Sequence, residues 1–139
     1  MTRRQNPAGY SGTPPPKKLG IKEGSVVALI DAPRGFRTTL GTLPAGSRLL
    51  AKPDGRCTLT LWFTRSRADL ARGMRKAAAL AGQGTVWILW PKLTSGTATD
   101  LKEGVVREAA LAAGLVDYKV CAVDATWSAL AFARRKQVH

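Results

Sequence analysis

Basic and hydroxyl side chains follow the predicted strands of this sequence at three places. Arg34 and Arg37 come after the first predicted strand, Arg65 after the third, and Lys92 after the fourth. The carboxyl ends of parallel strands share one edge of a sheet, where open α/β sheets bind ligands. Arginine, lysine and hydroxyl groups donate hydrogen bonds to phosphate and carboxylate oxygens. The sequence therefore predicts a site for an anionic small molecule, phosphate-like or nucleotide-like, formed by Arg34, Arg37, Arg65, Lys92, Ser95, Thr97 and Thr99.

Two predicted helix starts, at Ser66 and Asp100, add to this expectation. The first backbone N–H groups of a helix lack partners within the helix, and the helix dipole makes that end attractive to anions. In the alternative interpretation, Asp31 and Asp100 pair with the arginines and the loops only close the fold. The sequence leaves both interpretations open.

The residues that usually carry catalysis are few. The single histidine, His139, is the last residue, so Ser95 and Ser128 have no histidine base to activate them. Cys57 and Cys121 do not have the spacing of metal ligands and are expected to be small buried apolar residues. We therefore predict no catalytic residue, no metal and no cofactor, and a function that is not enzymatic.

The net charge of +13 is unevenly distributed. Residues 34–76 contain ten basic and two acidic residues, whereas residues 77–133 contain four basic and five acidic residues. A one-sided positive charge is typical of proteins that bind polyanions, although a basic surface can also serve only solubility. The alternative function is nonspecific nucleic-acid binding through Arg72, Arg75, Lys76, Arg134, Arg135 and Lys136.

The elements that must position these residues are predicted from apolar runs and helical periodicity. Helices are expected after Ser66 and after Asp100, each beginning with a capping box completed by Asp69 or Glu103. One face of the first helix should contain Leu70, Met74, Ala77 and Ala81, and the core face of the second should contain Leu101, Val105, Ala109 and Ala112. Glu103 and Arg107 should form an ion pair one turn apart, and residues 40–44 should form a helical turn or a loop. Only residues 124–128 separate the last two strands, so these strands should be antiparallel. The predicted fold is a compact three-layer α/β domain whose mostly parallel sheet ends in an antiparallel C-terminal hairpin. Its strands are Ser25–Ile30, Ser47–Ala51, Cys57–Thr64, Thr85–Trp90, Val116–Val123 and Ala129–Arg134.

The chain is predicted to form one domain with short tails. Residues 1–18, rich in proline, glycine and basic residues, are expected to be a disordered arm, residues 19–136 the domain, and residues 137–139 a frayed tail. The sequence has no apolar run of about 18 residues and no secretory signal pattern. We expect a cytoplasmic protein that does not contact a membrane. Its oligomeric state is not readable, although a dimer suits the small size.

Four motifs connect the chain to a known family. They are LGIKEGSVVALIDAP at residues 19–33, WPK at 90–92, SGTATDL at 95–101 and GLVDYKVCAVDATWSALAFARRK at 114–136. Through them the chain resembles DUF3052, an actinobacterial-type family of unknown function. The order of its elements also resembles Rossmann-like methyltransferases. These resemblances imply a Rossmann-like fold and a bacterial protein, and they supply no activity.

The resemblance to methyltransferases stops at the residues that would hold S-adenosylmethionine. Those enzymes need a glycine turn after the first strand, because only a residue without Cβ lets the backbone approach the cofactor. Here Pro33 and Arg34 occupy that turn, and the chain is one strand–helix unit short between residues 31 and 57. Asp54 lies in a Pro-Asp-Gly turn, where aspartate is common for structural reasons. A degenerate relative of these methyltransferases is the third hypothesis.

Overall fold

The computed structural model describes residues 13–135 and shows a mixed α/β fold. Within that range six strands form one sheet in the order β2-β1-β3-β4-β6-β5. The strands are β1 (Val26–Ile30), β2 (Arg48–Leu50), β3 (Leu59–Phe63), β4 (Thr85–Pro91), β5 (Leu115–Ala122) and β6 (Trp127–Arg134). The α-helices are α1 (Pro15–Leu19), α2 (Phe36–Leu40), α3 (Arg67–Leu80) and α4 (Glu103–Ala112), and a 3₁₀ turn spans Leu93–Ser95.

The sheet has a parallel part and an antiparallel part. Strand β1 pairs in parallel with both β2 and β3, and β3 pairs in parallel with β4. Strand β6 lies between β4 and β5 and is antiparallel to both. The predicted antiparallel C-terminal strands are therefore confirmed, because the link between them is too short for a crossover.

Alternate residues of the central strands enter two apolar clusters, as the two-residue period of a strand requires. Leu59, Leu61 and Phe63 of β3 pack with residues of α1 and α2. Trp62, from the other face of β3, packs with residues of α3 and α4. Every residue of β3 is buried, which explains why its sequence is a continuous apolar run rather than an alternating one.

Helix α3 follows the predicted pattern. Ser66 is its N-cap, and the Ser66 Oγ accepts a hydrogen bond from the Asp69 N–H at 3.1 Å. Leu70, Met74, Ala77 and Ala81 recur at helical spacing, and all four are buried. The capping box and the apolar face were sufficient to predict this helix because both signals are local.

The predicted start of α4 was wrong. Asp100 does not cap this helix, which begins at Glu103 with Lys102 at the N-cap position. The Asp100 carboxylate instead accepts from a backbone N–H of α3, that of Arg67. Val106 and Ala110 are the buried residues of this helix. Of the residues predicted for its core face, Val105 and Ala109 are partly buried, whereas Ala112 is exposed. The predicted pair of Glu103 and Arg107 is present at 2.6 Å.

The first described residues differ from the predicted arm. Pro15–Leu19 forms a short helix, whereas the sequence predicted an extended arm up to Lys18. Proline suits the first helical positions because its fixed φ matches the helix and its missing N–H is not needed there. Leu19 enters the core and its carbonyl accepts from the Trp87 indole N–H at 2.9 Å. Residues 1–12 and 136–139 lie outside the described part, so the rest of the predicted arm and the predicted tail do so too.

Helix α2 spans Phe36–Leu40, earlier than the helical turn or loop expected at residues 40–44, and it buries Phe36 and Leu40. Phe36 packs edge-on against Phe63 of β3, with 4.7 Å between ring centroids.

Among the described residues, no helix combines the length and the apolar character needed to cross a membrane.

Candidate functional site at the carboxyl end of β1

The carboxyl ends of the parallel strands β1, β3 and β4 lie at one edge of the sheet. Strand β1 has β2 on one side and β3 on the other, so the chain leaves β1 toward one sheet edge and later returns to its other side. Such a reversal of strand order separates the loops at the strand ends and opens a crevice between them. The end of β1 is therefore the place where this fold leaves room.

Asp31 directly follows β1 and has an unusual backbone conformation. Its φ is 58°, and it is the one non-glycine residue with a positive φ between residues 13 and 135. The left-handed region costs most L-residues about 1–2 kcal/mol, and aspartate and asparagine tolerate it best. The exposed Asp31 lies at the boundary of two cavities, one on each face of the sheet.

The first cavity, which we call the arginine cavity, has a volume of about 580 Å³. Arg34 and Arg37 both line it, and both are exposed. The ion pairs formed within the described part of the chain involve neither of these arginines. The remaining lining comes from the end of β1, the following loop, α2 and the residue after β2: Leu29, Asp31, Ala32, Pro33, Gly35, Phe36, Thr38 and Ala51.

The second cavity, which we call the α3 cavity, has a volume of about 310 Å³ and lies between α3 and the ends of β1 and β3. Its apolar lining includes Ile30, Trp62 and Leu80, and its charged lining is Asp31, Asp69, Arg72 and Lys76. Gly73 of α3 also lines it. A Cβ at this position would overlap the Trp62 ring, whose Cε2 would be 2.9 Å away. The missing side chain lets α3 approach the sheet over Trp62.

The start of α3 lies at the same edge, but the protein itself satisfies it. The Arg65 N–H donates to Asp69 Oδ2, and the Arg67 N–H donates to Asp100 Oδ1, both at 2.8 Å. Ser66 accepts from the Asp69 N–H, as described above. The carboxylates of Asp69 and Asp100 therefore occupy the helix start at which the sequence predicted binding of an external anion.

Arg65 and Thr99 also make contacts within the fold. The Thr99 hydroxyl donates to the Arg65 carbonyl at 2.9 Å and accepts from the Leu101 N–H at 3.1 Å. The Arg65 guanidinium lies over the ring of Trp127, 5.3 Å from its centroid. Such a cation–π contact holds an exposed arginine in place. Thr99 therefore joins the loop after β3 to the loop before α4.

Lys92, Ser95 and Thr97 form a second local group beyond β4. The Ser95 hydroxyl donates to the Lys92 carbonyl at 2.7 Å and accepts from the Thr97 N–H at 3.1 Å. The Lys92 N–H donates to the Thr126 carbonyl at 2.7 Å. Within the described residues, the linings of the arginine and α3 cavities contain neither this group nor Arg65 and Thr99. The structure therefore places Arg34 and Arg37 together and the other five predicted residues in separate contacts.

The residues predicted to contact nucleic acid lie along α3 and at the end of β6. Arg72, Arg75 and Lys76 are exposed, and Arg72 forms an ion pair with Asp69. Arg134 donates to the Ala78 carbonyl at 2.9 Å, and Arg135 donates to the Leu111 carbonyl at 3.3 Å. Both arginines thus satisfy carbonyls near helix C-terminal ends, where a cation is favourable. Lys136 lies outside the described residues.

The cysteines differ from each other. Both are free thiols; Cys57 is buried, as predicted, whereas Cys121 is only half-buried. Burial raises the pKa of the Cys121 thiol, although nearby lysines act in the opposite direction. Among residues 13–135, no group of three or more histidine, cysteine and acidic side chains could hold a metal ion.

Sequence reasoning missed the α3 cavity and the conformation of Asp31. The cavity had one local signal, the glycine at position 73 inside an otherwise good helix, which often marks a close approach. The αL conformation of Asp31 had only a weak signal, the position of an aspartate between a buried strand and a proline turn. Neither signal specifies which residues lie opposite.

The fold and this edge define a mixed α/β domain with open cavities at the carboxyl end of its first strand. The model of the family described as "Protein of unknown function (DUF3052)" matches residues 17–136. The chain therefore belongs to this family, and its predicted resemblance to DUF3052 is confirmed. The comparison with curated proteins gave no match.

Proposed function

We propose that the protein is a Rossmann-like binding domain that takes an anionic small molecule in the arginine cavity. The observation that carries this proposal is that Arg34 and Arg37 line one cavity at the point where the strand order reverses. Ligands of open α/β sheets bind at such switch points. The volume of about 580 Å³ lies in the range of small-molecule sites.

The charges of the cavity favour a phosphate or carboxylate group. Arg34 and Arg37 contribute two positive charges against the single negative charge of Asp31. A guanidinium offers paired N–H donors that match the oxygens of phosphate and carboxylate. Asp31 accepts hydrogen bonds, so it suits a hydroxyl or amino group of the same ligand.

The α3 cavity can take the uncharged part of such a ligand. It shares Asp31 with the arginine cavity, and Ile30, Trp62 and Leu80 give it an apolar surface. Small-molecule sites typically combine a mainly apolar lining with a few polar groups that fix the orientation. A ligand with an anionic group and a compact apolar group would use both cavities around the end of β1.

The site does not favour S-adenosylmethionine. Pro33, Arg34 and Gly35 line the arginine cavity where a methyltransferase would need its glycine turn. Arg34 adds a positive charge to that turn, which is unfavourable for a ligand with a sulfonium group. We therefore propose binding rather than methyl transfer and assign no catalytic residue.

An NMR titration tests this proposal. Inorganic pyrophosphate and citrate are added separately to ¹⁵N-labelled protein, and amide shifts are followed at residues 31–38. We expect at least one anion to shift these amides in a saturable way. Arg34→Gln with Arg37→Gln should weaken that binding at least tenfold, because both cations of the cavity are lost.

The control carries the same charge change at another place. Arg48 and Arg56 are exposed and outside both cavities, so Arg48→Gln with Arg56→Gln should change the affinity by less than about threefold. The proposal is wrong if neither anion shifts residues 31–38. It is also wrong if the two double variants lose the same affinity, since the effect would then be that of net charge.

A second candidate function is nonspecific nucleic-acid binding through α3. The observation that favours it is the exposure of Arg75 and Lys76 beside Arg72 on one helix. A gel shift at increasing salt should show affinity that falls steeply, and Arg75→Gln with Lys76→Gln should reduce the salt dependence by about two phosphate contacts. Absent binding, or affinity that salt does not change, would reject this candidate.

A further inference from the structure

Three lysines from two distant parts of the chain line one cleft. Lys17 and Lys18 belong to α1, and Lys119 belongs to β5. The cleft has a volume of about 490 Å³, and its other lining residues are Thr13, Val120, Cys121 and Ala122. We call it the lysine cleft. A hydrogen bond joins the two elements, in which the Lys18 ammonium donates to the Ala122 carbonyl at 2.6 Å.

The lysine cleft is separate from the arginine cavity. Strand β5 is four strands away from β1 in the sheet order. With about 4.8 Å between neighbouring strands, this separation corresponds to roughly 19 Å. The linings of the two sites also share no described residue, so the two are distinct.

The positive charge of the cleft is concentrated and partly buried. Lys18 is only 8% exposed. Burial lowers the pKa of its ammonium group, and the charge of Lys92 lowers it further. Bringing like charges together in a partly desolvated place is unfavourable unless an opposite charge compensates them.

Asp124 is a carboxylate whose charge acts on this cleft. Its negative charge raises the pKa of Lys18. However, Asp124 Oδ1 accepts from the N–H groups of Thr126 and Trp127, both at 2.8 Å, and so serves the β5–β6 turn. Within residues 13–135, the ion pairs involve neither Lys17 nor Lys119.

We propose that the lysine cleft is a second anion-binding site, which takes a compact and multiply charged oxyanion such as a diphosphate group. The exposed ammonium groups of Lys17 and Lys119 provide movable donors for several oxygens, and Lys18, held at the Ala122 carbonyl, adds positive potential beside them. The concave shape favours a small oxyanion over a duplex, which needs an extended basic surface.

Thermal unfolding with inorganic pyrophosphate tests this proposal. All proteins carry Arg34→Gln and Arg37→Gln, so that the result does not depend on the arginine cavity. At a hundredfold excess of pyrophosphate over its Kd, the Tm should rise by at least about 4 °C relative to sodium chloride of equal ionic strength. Adding Lys17→Gln and Lys119→Gln should remove most of this rise and weaken binding at least tenfold.

Three further arms decide the outcome. Lys52→Gln with Lys102→Gln removes the same charge from exposed positions outside the cleft and should keep the rise. Without pyrophosphate, the variant at Lys17 and Lys119 should unfold at the same or a higher temperature, because like charges have been removed. The proposal is overturned if sodium chloride gives the same rise, if both lysine variants respond alike, or if a short single-stranded oligonucleotide binds the cleft more tightly than pyrophosphate.

Discussion

Two loops at the same edge of the sheet differ in how their polar groups are satisfied. The loop at the start of α3 is closed by the chain itself, because Asp69 and Asp100 accept from its backbone N–H groups and Thr99 donates to its carbonyl. The loop after β1 leads through a glycine N-cap into a helix of five residues, Phe36–Leu40. Arg34 of this second loop and Arg37 of that helix line an open cavity instead.

This difference separates two roles that look alike in a sequence. Charged and hydroxyl residues after a strand can complete a helix end, or they can remain accessible to a ligand. At the start of α3, side chains of its own first turn and of the segment before α4 complete the hydrogen bonds. At the end of β1 both arginines are exposed, so this end is the better candidate for a ligand site.

The largest expected effect concerns the packing of α3 against the sheet. Gly73→Ala would place a Cβ against the buried Trp62 ring, which Leu70, Met74 and other core residues surround. Overpacking typically costs about 1–3 kcal/mol, and the close overlap with a buried ring favours the upper part of this range, about 2–3 kcal/mol, against a gain in helix propensity of about 1 kcal/mol. We expect a net loss of about 1–2 kcal/mol in the free energy of unfolding, measured by urea denaturation.

A matched control for this variant lies in α4. An added Cβ at Gly104 meets no atom of the described chain within 4 Å, so Gly104→Ala should be neutral or stabilising by up to about 1 kcal/mol. If Gly73→Ala is as stable as Gly104→Ala, α3 is not held tightly over Trp62. In that case the missing side chain at position 73 is not what lets α3 approach the sheet.

The second effect concerns the closure of the α3 start. Asp100→Ala removes the acceptor of the Arg67 N–H and should cost about 1 kcal/mol in the free energy of unfolding. Asp100→Asn keeps an oxygen acceptor at the same position and should cost less than about 0.5 kcal/mol. Equal stability of the two variants, both unchanged from the parent protein, would show that this loop does not depend on Asp100.

Signals within one segment predicted much of the fold from the sequence. The cap at Ser66, the apolar face of α3 and the short link before β6 each operate over a few residues, and each prediction was confirmed. The same is true of the Glu103–Arg107 pair, which spans one helical turn. Periodicity and capping succeed because neighbouring residues determine them.

Long-range contacts could not be predicted in the same way. Asp100 looked like the cap of the following helix but serves α3, 33 residues earlier in the chain. The lysine cleft needs α1 and β5 to meet, and the bond from Lys18 to Ala122 spans 104 residues. Sequence spacing indicates neither the contact of Asp100 with α3 nor that of Lys18 with Ala122, because only the packed sheet brings each pair together. It was easier to predict that Arg34 and Arg37 lie together, since only two residues separate them in the chain.

The smallest expected effect should have the opposite sign and concerns Asp31. With φ at 58°, Asp31 pays a backbone cost that glycine avoids, although glycine also loses more entropy on folding. Asp31→Gly should therefore leave the free energy of unfolding unchanged or raise it by up to about 1 kcal/mol, whereas Asp31→Ala should lower it by about 1 kcal/mol.

The control is Asp100→Gly in the closed loop, which should lower the free energy of unfolding. If Asp31→Gly instead costs as much as Asp100→Gly, the carboxylate of Asp31 stabilises the fold and both loops are closed alike. If it is neutral for stability while anion binding to the arginine cavity weakens, Asp31 serves the ligand rather than the fold, and the difference between the two loops is one of function.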